Sequence, residues 1–334
     1  MSEPPVLAVT SGDPCGIGPE VILKSLGVAR GRCRLIVIGD LSVFERLARR
    51  LRRRLPRWVV TTPEAAASGT RHAMVFVDLR HRARWEFGRS SAGAGAASLN
   101  YLAMGARLCR QGIADALVTA PVTKWAIERV RPRFVGQTEY LAEACGTKTP
   151  VMMFVSPSLR VVLLTRHLSL REVPSRVTAA LLRRTLRITA KGLAEHFTIR
   201  RPRLAICGLN PHAGEGGLFG AEERRVLLPV LRSCRREGIR LDGPFAADGF
   251  FAAPNAYDAV MCWYHDQGLI PFKMAARDRG CQLTLGLPFV RTSPDHGSAL
   301  DIAGHGRAHP GSMRYALELA AQLASRRGHP HRVA

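Results

Sequence analysis

Three histidines stand just beyond apolar, β-branched runs: His167 after Val161-Val-Leu-Leu-Thr165, His212 in Cys207-Gly-Leu-Asn-Pro-His-Ala-Gly214, and His265 in Trp263-Tyr-His-Asp-Gln267. Neutral imidazole is the commonest transition-metal ligand, so three of them at strand ends can converge on one divalent ion and leave positions open for substrate oxygens. A strand-end histidine is also an ordinary hydrogen-bonded structural residue, and wide sequence separation does not by itself bring three together. Asp248, in the turn Gly243-Pro-Phe-Ala-Ala-Asp-Gly249, and Asp266, directly after His265, offer carboxylates that orient an imidazole or accept a proton from a reacting alcohol. Turn capping is the plainer role for either. Lys124 closes Val118-Thr-Ala-Pro-Val-Thr-Lys124, Lys273 follows the His265 segment, and Arg291 sits in Gly286-Leu-Pro-Phe-Val-Arg-Thr-Ser-Pro-Asp-His-Gly297. In a chain that mostly uses arginine, a lysine supplies a compact ammonium whose pKa its surroundings can tune.

A further unusual segment is Thr10-Ser-Gly-Asp-Pro-Cys-Gly-Ile-Gly-Pro-Glu20, between an apolar run and a helical stretch from about Val21. Such a glycine-rich turn exposes backbone N–H groups at a helix start and can hold an anion. The spacing of Gly12, Gly16 and Gly18 does not match G-x-G-x-x-G, and no G-x-x-x-x-G-K-[ST] occurs. A packed structural turn and a ligand loop both fit it.

These residues need strands to hold them. Leu7 to Thr10, Leu35 to Ile38, Met74 to Val77, Ala116 to Thr119, Arg160 to Thr165, Leu204 to Cys207 and Ala259 to Trp263 are apolar runs alternating with helical stretches. That alternation predicts an α/β fold with α/β/α layers and a largely parallel sheet, in which ligands gather at the carboxyl ends of the strands. At 334 residues the chain is long enough for two lobes. The expected division is 1–135 plus about 300–334 for the first and 136–299 for the second.

Composition, 46% hydrophobic and 22% charged, is that of a globular protein. The outlier is a net charge of +23, which raises the question of a phosphate-bearing partner. Much of the excess is arginine on amphipathic stretches: Glu45 to Leu55, with Leu47, Leu51 and Leu55 as its apolar stripe, then Arg183, Arg184 and Arg187, then Arg232, Arg235 and Arg236. With only 6% aromatics, little is left for base stacking, so nucleic acid is disfavoured as a partner. The start of the chain has no basic, apolar leader and no run reaches membrane-spanning length, which leads us to expect a soluble, cytoplasmic protein without membrane contact. Eight cysteines (15, 33, 109, 145, 207, 234, 262, 281) form no C-x-x-C pair, and Cys15, in the glycine-rich turn, is the one expected to be accessible. The short Ser90 to Ser98 stretch is expected to open a helix. The polar tail from Ser325, with His329 and His331, is expected to fray.

Seven ordered blocks then carry a resemblance: SGDPCGIGPE at 11–20, TAPVTK at 119–124, GQTEYLAE at 136–143, PVMMF at 150–154, CGLNPHAGEGGLFGAEE at 207–223, YHDQGLIPFK at 264–273 and TLGLPFVRTSPDHGSALDIAG at 284–304. With them the chain, from residue 6 to about 315, resembles the 4-hydroxythreonine-4-phosphate dehydrogenase family. The resemblance implies an isocitrate-dehydrogenase-like two-lobed fold, a homodimer, and an active-site cleft at the subunit interface. It implies that His167, His212 and His265 ligate one divalent metal ion (zinc, magnesium, cobalt or manganese), one of them coming from the neighbouring subunit. It puts substrate binding on Gln137, Thr138, Lys273, Gln282 and Arg291. Position 137 is ordinarily histidine and position 282 ordinarily asparagine in that family, so both glutamines depart from the pattern.

The implied reaction is NAD- or NADP-dependent oxidation of 4-phosphooxy-L-threonine, a small phosphorylated hydroxy amino acid, to 2-amino-3-oxo-4-phosphooxybutanoate. That β-keto acid loses carbon dioxide to give 3-amino-2-oxopropyl phosphate, in pyridoxine and pyridoxal phosphate biosynthesis. Asp248, Lys124 and Asp266 are the proton-transfer candidates, and the cofactor is expected along the 286–304 loop through Gly286, Asp295, Ser298 and Asp301. The rivals are oxidation of threonate or erythronate 4-phosphate, oxidation of a cyclic diol dicarboxylate, acyl transfer to phosphate, and, as a non-enzyme, a basic nucleic-acid-binding protein.

Overall fold

The computed structural model describes residues 3–67, 72–81, 85–253 and 256–327. It forms two compact units, one of residues 1–148, 278–283 and 287–334, the other of 149–277 with 284–286. No helix among the described residues is long and apolar enough to cross a membrane. The last seven residues of the polar tail, with His329 and His331, lie outside the described residues.

In the first unit the strands are β1 (Val6–Thr10), β2 (Arg34–Gly39), β3 (Val59–Thr61), β4 (Met74–Asp78), β5 (Ala116–Thr119) and β12 (Val290–Pro294), in the order β3-β4-β2-β1-β5-β12 and all parallel. β1 and β5 are apolar along nearly their whole length and wholly buried, as strands covered on both faces must be. Their register aligns Thr10 with Ile38 on one side and Thr119 on the other, so one row of strand ends carries the turns that follow. The helices that matter here are α1 (Gly18–Leu23), α2 (Leu41–Arg50), α3 (Ala92–Arg110), α4 (Lys124–Glu128), α5 (Gln137–Ala144) and α10 (Gly311–Arg327). Ser91 caps α3 by accepting from the Ala94 amide at 3.2 Å, so the Ser90 to Ser98 stretch does open a helix.

In the second unit the order is β6-β7-β10-β8-β9, from β6 (Val151–Val155), β7 (Arg160–Leu163), β8 (Arg203–Cys207), β9 (Arg240–Phe245) and β10 (Ala259–Cys262). β6 runs antiparallel to β7 and the remaining pairs are parallel. Strand β11 (Cys281–Leu285) divides its residues between the two units. Phe154, Val161, Leu163, Ala205, Cys207, Val260 and Cys262 form the sheet's contribution to a core closed by Phe250, Leu269 and Phe272. The helices are α6 (Ala179–Phe197), α7 (Leu228–Arg236), α8 (Ala247–Ala252) and α9 (His265–Ala276).

Two expectations are corrected. The stripe Leu47, Leu51, Leu55 does not lie on one helix: α2 ends at Arg50 and Arg52 turns to a φ of 51°. Pro56 disfavours helical geometry at Leu55, which the apolar spacing alone does not reveal. The division of the chain also falls elsewhere than at 135 and 300. α5 stays with the first unit, and residues 287–299 return to it because β12 pairs with β5, Val290 opposite Ala116.

α3 packs on α4 through Gly95, where a Cβ would sit 2.2 Å from the Ala126 carbonyl oxygen. Gly95→Ala is therefore expected to destabilise the fold by about 2 kcal/mol in urea unfolding, because the overlap outweighs the roughly 1 kcal/mol by which alanine favours a helix. A neutral or stabilising result would show that the two helices separate freely.

Candidate active site

Within the second unit, the end of β10 organises the chemistry. The β7–β10 ladder continues past the strands: the Leu164 amide donates to the Cys262 carbonyl at 2.9 Å, and Thr165 donates to the Trp263 carbonyl through its amide at 3.1 Å and its hydroxyl at 2.6 Å. Two residues further on, His167 comes beside His265, with ring centroids 6.2 Å apart. His265 is the first residue of α9, and its Nδ1 lies 2.6 Å from the Asp266 carboxylate. A carboxylate on one ring nitrogen fixes the imidazole and makes the other nitrogen a better ligand. Gln267 joins the neighbouring strand ends, accepting from the Trp263 amide at 2.8 Å and donating to the Gly208 carbonyl at 2.7 Å.

His212 reaches the same unit on a strained segment. Residues 212–216 all have positive φ (51°, 53°, 82°, 39° and 66°), although only 214 and 216 are glycine. Left-handed geometry costs an ordinary residue roughly 1–2 kcal/mol, so the surrounding contacts must over-determine it. Glu223, itself buried, accepts from the Asn210 amide at 2.8 Å and from its side chain at 2.9 Å, and a Cβ on Gly214 would meet Glu223 Oε2 at 2.7 Å. His212, Asp248 and Asp266 line one cavity of about 520 Å³ together with Asn210, Phe251 and Tyr264. Among the described residues, no three His, Cys, Asp or Glu side chains of the chain stand close enough to hold a metal ion. The convergence of all three histidines expected from sequence is thus not completed within one chain. His167 and His265 meet, while His212 contacts Phe219, the ring centroids 6.0 Å apart.

The first unit holds a second cluster, around Arg291 on β12. This arginine is 2% exposed and donates to the hydroxyls of Thr119, at 2.6 Å, and Thr138, at 3.3 Å, and to the amide oxygen of Gln282. Gln282 Oε1 also accepts from Ser293 at 3.0 Å. Burial pushes the guanidinium down to about 10, against the pull of the Glu139 carboxylate, so it remains a cation at neutral pH. Gln137, at the start of α5, donates to the Ala120 carbonyl at 3.1 Å, while its own Oε1 is buried with no partner among the described residues. Four of the five residues expected to bind substrate thus meet in one place; Lys273 lies on α9, exposed, in the second unit.

The glycine-rich turn is a packed structural element. Gly12, at a φ of 66°, would place a Cβ 2.2 Å from the Pro121 carbonyl oxygen, and Asp13 is buried, accepting from the Cys15 amide at 2.8 Å and Ser90 at 2.6 Å. Cys15, expected to be accessible, is buried, and burial with the adjoining Asp13 charge pushes its thiol up to about 12. The turn carries the 286–304 loop: the Ile17 amide donates to the Ser298 carbonyl at 3.0 Å and Thr123 donates to the Ser298 hydroxyl at 2.9 Å. Lys124 follows Thr123 as the first residue of α4. Asp295 is tied to Ser312, which donates to its carboxylate at 2.7 Å; Asp301 is exposed, and Gly286 counts with the second unit. Sequence reasoning missed His296, whose Nε2 is buried without a partner among the described residues, and Thr119, which ends a strand against Arg291. The His296-Gly297-Ser298 run inside a loop already singled out was the available signal.

The family described as pyridoxal phosphate biosynthetic protein PdxA matches residues 31–320. A protein of Aromatoleum aromaticum named 4-hydroxythreonine-4-phosphate dehydrogenase is 45% identical over 331 residues, covering 98% of this chain and 99% of its own. The crystal structure of a 4-hydroxythreonine-4-phosphate dehydrogenase from Klebsiella pneumoniae is 34% identical, with a TM-score of 0.84 over 96% of this chain and 99% of that one. Isocitrate dehydrogenase from Methylococcus capsulatus, 14% identical, shares the fold with a TM-score of 0.50 over 98% of this chain and 87% of its own.

A buried guanidinium held by hydroxyl and amide oxygens is suited to an anion. Inorganic phosphate at millimolar concentration is expected to raise the melting temperature of the wild-type protein by mass action, and to lose that effect in Gln282→Glu, where a carboxylate placed on Arg291 neutralises the site. Equal phosphate stabilisation of both proteins would remove Arg291 as the anion anchor.

Proposed function

The chain belongs to the pyridoxal phosphate biosynthetic protein PdxA family, and on that premise we propose that it is the dehydrogenase of 4-phosphooxy-L-threonine. The reaction yields 2-amino-3-oxo-4-phosphooxybutanoate and, after loss of carbon dioxide, 3-amino-2-oxopropyl phosphate. The observation that carries the proposal is the side-by-side pair His167 and His265, with Asp266 on the second ring. Two adjacent imidazoles, one oriented by a carboxylate, form a ligand pair suited to a divalent ion. The third ligand is His212, and the donor set is completed between two copies of the chain. Ile270 and Met274, 60% and 75% exposed and one turn apart on α9, supply apolar surface suited to that homodimer.

When bound, a divalent ion supplies acidity to the reacting alcohol, and NAD or NADP supplies the hydride acceptor. The chain's own residues do the rest. Arg291, held by Thr119 and Gln282, binds an anionic group of the substrate, and Thr138 donates beside it. The unsatisfied Gln137 oxygen accepts a hydrogen bond from a substrate amino or hydroxyl group. Asp248, lining the cavity with His212, takes the proton from the alcohol, while Asp266 keeps the His265 ring in place. Lys273 complements the second anionic charge of the substrate, and Lys124 returns a proton to the enolate formed on decarboxylation. The buried Nε2 of His296 is a group that a nucleotide seated on the 286–304 loop would satisfy.

Purified protein with a divalent metal, NAD or NADP and 4-phosphooxy-L-threonine is expected to reduce the nicotinamide, to lose this activity on chelation, and to fall by roughly 100-fold or more in His212→Ala. Turnover of threonate or erythronate 4-phosphate instead would keep the chemistry and assign the two glutamines to a different acid. Inactivity on all of them with metal bound would refute the dehydrogenase reading.

A further inference from the structure

The loop that we assign to the nicotinamide dinucleotide ends in a turn with few regular backbone bonds. Gly304 and Gly306 both sit at a φ of 74°, and the peptide N–H and C=O groups of Gly306 and Ala308 are satisfied by one ion pair from α1 and its cap. The Glu20 side chain is 1% exposed; its carboxylate accepts from the Ala308 amide at 2.9 Å and the Gly306 amide at 3.2 Å. Lys24, one helical turn on, bonds Glu20 at 2.7 Å and donates to the carbonyls of Gly306, at 2.7 Å, and Ala308, at 2.8 Å. Both charges of the pair are thereby directed at the backbone of one turn, and Arg314 on α10 donates to the Lys24 carbonyl at 3.0 Å from behind. Glu20 closes the glycine-rich block, so one short segment holds the chain after β12 at two points: Ile17 at Ser298, and Glu20 with Lys24 at residues 306–308.

We propose that Glu20 and Lys24 are positioning residues for the dinucleotide, acting through the loop foot at Gly306 and Ala308 without touching the ligand. The proposal rests on the dehydrogenase reading. A surface ion pair contributes little, but this one is buried and bonded to peptide groups, so its loss leaves backbone donors and acceptors unsatisfied. Glu20→Gln keeps size and one acceptor, but it turns an amide NH₂ towards one of the two peptide N–H donors and removes the counter-charge of Lys24.

The test is calorimetric titration of NAD and NADP into wild type, Glu20→Gln and Lys24→Gln, with amide hydrogen exchange at residues 304–310 and steady-state KM values for both substrates. We expect a Kd for the dinucleotide raised roughly tenfold in each variant, faster exchange of the Gly306 and Ala308 amides, and a KM for the phosphorylated acid changed by less than about twofold. A merely structural role would move both KM values together, and that outcome overturns the proposal. So does an unchanged dinucleotide Kd in a variant whose 306 and 308 amides exchange faster. If Glu20→Gln fails to fold, Lys24→Gln, with its side chain 12% exposed, carries the same test. Wild-type protein that binds neither NAD nor NADP would refute the underlying dehydrogenase reading.

Discussion

The carbonyl of Trp263 accepts two bonds from Thr165, and its amide donates to Gln267, which also reaches the Gly208 carbonyl. These contacts extend three parallel strands by one more rung beyond their formal ends. A parallel sheet leaves polar backbone groups at its carboxyl edge, and whatever satisfies them decides where the next side chains point. Here the satisfaction is internal, and His167 and His265 emerge side by side as its consequence. Trp263 itself is anchored below, donating from its indole to the Cys207 carbonyl at 2.6 Å. The strand ends that carry His167 and His265, Thr165 and Trp263, are thereby buried in the core.

The first unit solves a different problem, that of keeping a full positive charge in a dry interior. Desolvation works against the Arg291 guanidinium, and three neutral oxygens make up part of the lost hydration. An arginine needed only for stability would be replaceable by an apolar side chain, often at little cost. The Glu139 carboxylate adds a favourable pull on the cation. The Gln282 oxygen faces Arg291 and Ser293 together, so it supports the cation without neutralising it. Gln282 thus holds Arg291 through its amide oxygen.

The glycine-rich block is tightly packed, and it locks the loops that follow other strands. Gly12 and Gly18 permit backbone approaches that a Cβ would block, at 2.2 Å from the Pro121 and Ser11 carbonyl oxygens. Asp13, Ile17 and Glu20 each hold a different neighbouring segment. The strong positive charge has an equally plain distribution. Arg49 and Arg50 close α2, and Arg235 and Arg236 close α7, in the last turns where the helix dipole favours cations.

Sequence alone determined the layered α/β class, because buried parallel strands must read as continuous apolar runs, and all seven of the runs it contained became strands. It also determined which residue types were available for chemistry, and its ordered motifs identified the family. It missed β3, β6, β9, β11 and β12, of which β9, Arg240–Phe245, holds a glycine and a proline that weaken a strand signal, and it carried α2 past Arg50, where the chain turns to a positive φ at Arg52. Only the tertiary structure decided that Gln137, Thr138, Gln282 and Arg291 lie in one unit while Lys273 belongs to the other, since pairing β12 with β5 is a long-range event. It alone revealed how tightly the glycine-rich turn is packed, because that lies in what a Cβ would strike. The spacing of His167, His212 and His265 carries no distance; the strand register does, and it joins two of them and leaves the third on its own left-handed turn.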